Sequence, residues 1–250
     1  MYEVKEVEFY SGNLKLAGKL YINKDENKNK SIVVFSHSLG AVKEWLDQKA
    51  IDICEGGNHV FLYDFRGHGN SDGVADINLI NDIYAAIDYA KSCFEEELPI
   101  ILAGQCLGGL LSFHAAPKCE DVIAIVGMSI APEFVITPEK WNFTVDILNS
   151  GKGGHTCRFD ADSVYEFFNT HDIRDVIKGL NSMPVFLIHY EEDDISPVEE
   201  LVKIFLHCRC EKNILILDKG QHVSPYLYNS FNKNIVWWIN EKKENWYMLK

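Results

Sequence analysis

The sequence predicts an α/β fold: a mostly parallel, twisted, eight-stranded sheet with helices on both faces and a cap inserted at one edge. Three observations carry that prediction. Short apolar runs alternate with longer amphipathic stretches, the rhythm that sets parallel strands between covering helices. Several runs are apolar throughout, as strands buried on both faces must be. A chain of 250 residues with 47% hydrophobic content is enough for one such domain plus a modest insertion.

Taken in order, residues 4–10 and 15–21 alternate around Ser11-Gly12-Asn13 and predict an antiparallel hairpin. A lysine- and asparagine-rich surface loop, 23–30, precedes a buried strand at 31–36. That strand runs into His37-Ser38-Leu39-Gly40, where a tight turn would leave backbone N–H groups free, as an oxyanion site requires. Residues 43–55 have helical spacing and end at Gly56-Gly57. A strand at 59–63 leads to 64–73, whose small and polar residues read as a rigid, hydrogen-bonded loop. His68 in that loop reads as structural. The spacing of Ile80, Ile83, Tyr84 and Ile87 predicts a helix over 76–97. The fifth strand begins at Ile100 and ends in Gly104-Gln105-Cys106-Leu107-Gly108-Gly109, with a helix over 110–116 and a strand over 122–130 behind it.

Residues 131–180 break the rhythm. They hold Pro132, Pro138, Gly151, Gly153, Gly154 and aromatic stretches at 141–143 and 165–168. This segment is expected to fold over the sheet edge as a cap or lid, with a hairpin or short strands near 155–168. Its aromatics would either line a pocket or pack the cap onto the body. The core is then 1–130 with 181–250. A strand at 185–189 opens into an acidic loop, Pro197 starts a helix reaching about 210, and 213–217 is the last strand. Asp218-Lys219-Gly220-Gln221-His222 follows, and a final helix is expected over 226–240.

The chemistry gathers at the ends of the strands. Strand, sharp turn and helix around Gly-x-Cys-x-Gly is the setting of a nucleophile elbow, where side chains at Gly104 and Gly108 would strike neighbouring backbone. Cys106 at the apex sits at a helix N-terminus, whose dipole favours thiolate. The alternative is a small buried cysteine packed between strand and helix. Further along come the acidic loop, with Asp193 and Asp194, and then His222. That order of nucleophile, acid and base suits a triad. His222 would deprotonate Cys106 and return the proton to the leaving group, and a carboxylate would fix the imidazole tautomer. An imidazolium beside a thiolate forms a stable ion pair.

Over essentially its whole length the chain resembles the α/β-hydrolase family. The resemblance rests on His37-Ser38-Leu39-Gly40, on 64–71 (Asp-Phe-Arg-Gly-His-Gly-Asn-Ser), on 104–109, on 189–197 and on Gly220-Gln221-His222. With its cap it is most similar to the bacterial cinnamoyl and feruloyl esterase-like branch, whereas the cysteine elbow resembles that of dienelactone hydrolases. The resemblance implies Asp193 as the triad acid, oxyanion donors at the backbone N–H groups of Leu39 and Leu107, and structural roles for Asp64, Arg66 and His68. Two residues depart from the pattern: Ser38 stands where glycine is usual, and Cys106 where the esterase branch has serine.

Bulk properties exclude other classes. With 24 basic against 37 acidic residues and a net charge of −13, nucleic acid and anionic membranes are poor partners. Seven scattered cysteines, without a C-x-x-C pair, predict a reducing, cytoplasmic setting rather than disulfides or a metal site. No leader segment or membrane span is read from the sequence, no cofactor is implied, and a homodimer is compatible with it. The expected function is hydrolysis of an activated acyl bond (ester, lactone or thioester) of a small-molecule substrate, free or carrier-bound. The alternatives are release of the same acyl-enzyme to an alcohol or amine, as in a transferase or cyclase, and a non-catalytic binding protein on a hydrolase scaffold.

Overall fold

Alternation along each strand decides which layer of helices its side chains meet. In β3 (Ile32–Ser36), Val34 joins one core, with Leu102, Ile125 and Leu187 of neighbouring strands, while Val33 and Phe35 join the other, with Ile101, Ala103 and Val126. Every residue of β3, β4 (His59–Tyr63), β5 (Ile100–Gln105) and β7 (Val185–Tyr190) is buried, so these strands need apolar side chains on both faces. The first core is closed by α2 (Leu79–Ser92) and α3 (Leu107–Ala115), through residues such as Ile83, Ile87 and Leu111. The second is closed by α1 (Asp47–Glu55) and α9 (Asn232–Leu249), through Ile53, Ile235 and Trp238. The structure is a computed structural model that describes residues 1–26, 29–130, 137–180 and 182–250.

The eight strands lie in the order β1-β2-β4-β3-β5-β6-β7-β8. β1 (Tyr2–Ser11) and β2 (Leu14–Asn23) form the expected hairpin, and β2 pairs antiparallel with β4. All other pairings, including those of β6 (Val122–Met128) and β8 (Lys212–Leu217), are parallel. The chain winds from β3 outward to β4, returns to β5 beside β3, and then winds the other way through β6, β7 and β8. The winding reverses between β3 and β5, and in open α/β sheets the crevice at the carboxyl ends of such strands is where ligands bind. His37 and Cys106 stand at those two ends.

Three elements differ from the sequence expectation. The helix expected over 76–97 is α2, Leu79–Ser92; Asp76 instead forms a turn ahead of it, its carboxylate accepting from Asn78 N–H at 2.9 Å. The final helix is split into α8 (Ser224–Leu227) and α9, because Tyr228 is extended and its carbonyl, with the Asn229 side chain, accepts from the buried Lys49 ammonium at 3.2 Å each. No hairpin forms over 155–168. Cys157 and Phe159 make single bridges to His68 and Ala75, and Asp160 then caps α5 (Ala161–Thr170) by accepting from Ser163 N–H at 3.1 Å. Val164, Phe167 and Phe168, at helical spacing, are the buried face of α5.

Within 131–180, the first six residues, Pro132 among them, lie outside the described residues. The remainder forms α4 (Pro138–Ser150), α5 and α6 (Ile173–Ile177), leading back to the sheet at β7. Thr137 caps α4 and Pro138 occupies its first turn, where a missing N–H costs nothing. α7 (Val198–His207) follows Pro197, which is its N-cap. Among the described residues no helix is long and apolar enough to cross a membrane.

The loop after β4 is held by buried charge pairs. Asp64 accepts from Lys43 Nζ and Lys43 N–H, both at 2.8 Å. The Arg66 guanidinium grips Asp82 of α2 with Nε at 3.0 Å and a second nitrogen at 2.7 Å, and Asp82 also accepts Arg66 N–H at 2.9 Å. Asp82→Ala would leave the Arg66 guanidinium with only the partly exposed Asp76 carboxylate as counter-charge, at 3.1 Å, so we expect a loss of about 3 kcal/mol, read from the urea midpoint at unchanged m value.

Candidate active site

The site is built on a tight elbow. Cys106 has φ 50° and ψ −112°, a conformation that side chains rarely adopt and that costs about 1–3 kcal/mol. The surrounding packing enforces it. A Cβ on Gly104 would collide with the Gly108 carbonyl, and one on Gly108 with the Ser36 carbonyl, so both positions require glycine. Cys106 N–H donates to Met128 O of β6 at 2.9 Å, and Leu110 N–H of α3 donates to Cys106 O at 2.9 Å. The apex is thus tied to the sheet on one side and to the helix on the other. Its sulfur sits at the α3 N-terminus, and the residue is 7% exposed and lines a cavity.

His222 reaches it from the loop after β8. Gln221 N–H donates to Ser224 Oγ at 2.7 Å, which shapes that loop, and Gln105 Nε2 donates to His222 O at 2.8 Å, tethering the base to the residue beside the nucleophile. His222 Nδ1 lies 2.9 Å from Asp193 Oδ2 and 3.1 Å from Oδ1, leaving its other nitrogen for the hydrogen bond to Cys106. Asp193 is fixed in turn by Ser196 N–H at 2.8 Å and Ile195 N–H at 3.1 Å. Beneath it His189 Nε2 donates to Ser196 O at 2.6 Å, holding the acidic loop closed. Asp194, the other carboxylate of that loop, is exposed and lines the cavity mouth instead.

The charges follow from this geometry. Burial disfavours a charged imidazole, but a charge on Cys106, the hydrogen bonds to Asp193 and Cys106, and the Asp193 carboxylate outweigh it and raise His222 to about 10. Burial also opposes the Asp193 carboxylate, which the His222 hydrogen bond and charge, Ser196 N–H and His189 nevertheless hold below the ordinary aspartate value. His37 and His68 are different. Burial lowers them to about 4 and about 3, so both are neutral and accept hydrogen bonds at Nε2: His37 from Phe65 N–H at 3.1 Å, His68 from Gly40 N–H at 3.0 Å.

Those bonds settle which amides of the His37–Gly40 turn are spare. Ser38 N–H donates to the Tyr226 hydroxyl at 2.7 Å and Gly40 N–H to His68, which leaves the Leu39 N–H without an acceptor among the described residues. Leu107 N–H, first in α3, has no intrahelical acceptor. Beside them opens a cavity of about 350 Å³ lined by Cys106, His222 and Ser38, and by Trp141, Phe143 and Ile147 of α4. Phe168 of α5 and His155 also line it. A larger, more open depression of about 930 Å³ between β1 and α2 contains none of these groups. Among the described residues no cluster of three or more His, Cys, Asp or Glu side chains is placed to hold a metal ion.

Known proteins share this arrangement of strands. Residues 27–150 match the family described as serine aminopeptidase, S33. DcsB, solved in complex with a substrate analogue, superposes with a TM-score of 0.78 at 17% identity, over 97% of this chain and 99% of its own. This chain has the α/β-hydrolase fold. Est1E from Butyrivibrio proteoclasticus, solved with ferulic acid bound, superposes with a TM-score of 0.69 at 20% identity, over 94% and 96% of the two chains. At such identities the likeness speaks to the fold alone.

In sequence, this chain is 22% identical to the uncharacterized protein YfhR of Salmonella typhi over 187 residues, 73% of this chain and 58% of that protein. It thus spans a little over half the length of that relative. Over 92 residues it is 34% identical to the mitochondrial palmitoyl-protein thioesterase ABHD10 of Bos taurus, which is 34% of this chain and 28% of that one. The matched residues include the elbow, where the family's description names serine and this chain carries Cys106.

The structure therefore brings Cys106, His222, Asp193 and the amides of Leu39 and Leu107 to one place. Sequence reasoning missed Gln105, whose signal was a polar residue ending an otherwise apolar strand. It also missed Tyr226, four residues past the base and invisible without the fold.

Linkage fixes how this site depends on pH. A histidine raised from 6.5 to about 10 contributes stability that is complete below about 6.5 and lost as pH rises through about 10; Asp193, held low, contributes above the free aspartate value and loses it as pH falls through its own. By NMR, we expect the His222 ring to titrate near 10 in the parent and distinctly lower in Cys106→Ser, which lacks a thiolate. An unchanged value in that variant would remove Cys106 as the source of the shift.

Proposed function

We propose that this protein is a hydrolase of activated acyl bonds (carboxylic ester, lactone or thioester) that works through a thioester acyl-enzyme on Cys106. The observation that carries the reading is the elbow cysteine at a helix N-terminus, opposite a histidine raised to about 10 and oriented by Asp193. In this scheme Cys106 Sγ attacks the acyl carbonyl carbon and the Leu39 and Leu107 N–H groups receive the oxyanion. As the tetrahedral adduct collapses, the bond to the leaving group breaks and His222 passes its proton to the departing atom. Neutral His222 then takes a proton from water as the water oxygen attacks the thioester; the carbon–sulfur bond breaks, releasing the acid and restoring the thiolate–imidazolium pair.

Hydrolase and esterase-type chemistry at the level of the fold family supports the reading, as does the thioesterase activity in the name of one relative. The cavity supports an apolar or aromatic acyl group of modest size, since α4 and α5 present aromatic side chains to it and its volume is at the small end of ligand sites. In this reading 131–180 acts as a cap. The apolar lining also favours a second course, in which an alcohol or amine rather than water takes the acyl group, because a thioester reacts readily with such acceptors and the wall gives water few partners.

The test is intact mass after mixing with aryl and alkyl oxyesters and thioesters, quenched over time. We expect an acyl adduct that is absent from Cys106→Ala, and turnover reduced by about 10⁴-fold or more in that variant. Decay of the adduct in water with release of acid fits the hydrolase. An adduct stable in water but discharged by added amine or alcohol fits the transferase, and no adduct on the parent chain overturns the covalent reading.

A further inference from the structure

Ser38 lies in the turn after β3, and the structure gives it a hydroxyl whose proton is unspent. Tyr226 Oη accepts from Ser38 N–H at 2.7 Å and donates its own proton to Ser38 Oγ at 2.9 Å. A hydroxyl has one proton to give. Since the Tyr226 proton already fills one Ser38 lone pair, the Ser38 O–H must point elsewhere, and among the described residues no acceptor receives it. The residue is 6% exposed and lines the cavity together with Cys106, His222 and Leu39. The Tyr226 ring is buttressed edge-on by Trp45 at 5.2 Å, and Trp45 by His155 at 5.0 Å, so the phenol is held rather than free to swing. Removal from water, and after it the charge on Cys106, push the phenol well above its ordinary value, so it remains a donor throughout the working range and lies within the field of the sulfur.

We propose that Ser38 is a catalytic residue of this site: its Oγ–H, aimed by Tyr226, donates to the oxyanion that develops on the acyl carbonyl, as a third donor beside the Leu39 and Leu107 N–H groups. The proposal rests on the acyl-enzyme reading above and deepens it. Its chemical sense lies in the nucleophile. A carbon–sulfur bond is longer than a carbon–oxygen bond, so an acyl group on cysteine carries its carbonyl oxygen farther from the elbow than one on serine. Two rigid backbone donors cannot follow that displacement, but a side-chain hydroxyl reaching from the neighbouring turn can. Tyr226 is the positioning residue: it touches no reacting atom, and it sets the direction of the Ser38 proton while occupying the Ser38 amide that would otherwise compete for the oxyanion.

The experiment measures single-turnover acylation and deacylation of the full chain with an aryl acetate and a thiophenyl acetate, and the infrared carbonyl stretch of the acyl-enzyme. In Ser38→Ala and Ser38→Gly we expect kcat to fall about 10- to 100-fold with KM within about twofold, the signature of a group that acts only in the transition state. The carbonyl stretch should move to higher wavenumber as a donor is lost, and Ser38→Thr, which keeps a hydroxyl, should recover part of both. Tyr226→Phe should show a similar loss of kcat, with little further loss when combined with Ser38→Ala, because the two act through one proton.

Thermal melts identify any variant that fails to fold, and Ser38→Gly and Ser38→Thr then carry the reading. A parent acyl-enzyme whose rate and carbonyl stretch are untouched by Ser38→Ala overturns the proposal while leaving the cysteine reading intact. So does a loss confined to KM. Absence of any adduct on the parent chain overturns both.

Discussion

The active-site arrangement depends on how closely α3 approaches the ends of β3 and β5. Gly104 and Gly108 let the helix backbone come down onto the Ser36 carbonyl, and the elbow at Cys106 is what that approach leaves over. A residue with φ 50° is unfavourable alone, and here it is over-determined by the bond to Met128 O on one side and by Leu110 N–H on the other. Because β5 is central, the strain is spread over a sheet whose strands are buried on both faces. The same close approach brings the His37–Gly40 turn beside the helix N-terminus, so Cys106 and the spare amides are set by one packing decision.

Around that point the protein assigns opposite charge states to chemically identical side chains. His37 and His68 are buried, lose their protons although the Asp64 carboxylate lies 3.9 Å from His37, and serve as acceptors that hold the turn and the loop after β4. His222 is also buried, yet it faces a carboxylate and a sulfur that outweigh the cost of removing its charge from water. A single residue type thus takes both charge states, the difference being that only His222 has a carboxylate and a sulfur both hydrogen-bonded to its ring.

Legibility from the sequence tracked how local each signal was. The strands were readable because two-sided burial leaves little choice of side chain, and the elbow because its glycines answer to backbone contact within a few residues. Asp193 and Asp194 could not be separated from their surroundings in the chain alone. What distinguishes them is the fold of 193–196, where the Ser196 and Ile195 amides close on one carboxylate and turn its neighbour outward. The stretch at 155–168 read as strands because its start is extended, but the cap at Asp160 and the spacing of Val164, Phe167 and Phe168 belong to a helix. The break before α9 depends on Lys49, far away in sequence, claiming the Tyr228 carbonyl. Gln105 and the Ser38–Tyr226 pair were hidden for the same reason, since their partners lie more than a hundred residues away.

The segment between β6 and β7 is fastened unevenly. Arg158 donates its N–H to Gly67 O and accepts from Ala75 N–H, both at 2.8 Å, and spends its guanidinium on the carbonyls of Ser71 and Gly73, so the stretch entering α5 is stitched to the loop after β4. Among the described residues α4 makes no comparable polar bonds to the body, its side-chain bonds being to its own turns, yet it supplies Trp141, Phe143, Thr144, Ile147 and Leu148 to the cavity wall. Reactivity and selectivity are therefore carried by separable parts of the chain. A lineage could redraw the contour of the binding chamber by rewriting one thirteen-residue helix, while the machinery beneath it kept its geometry.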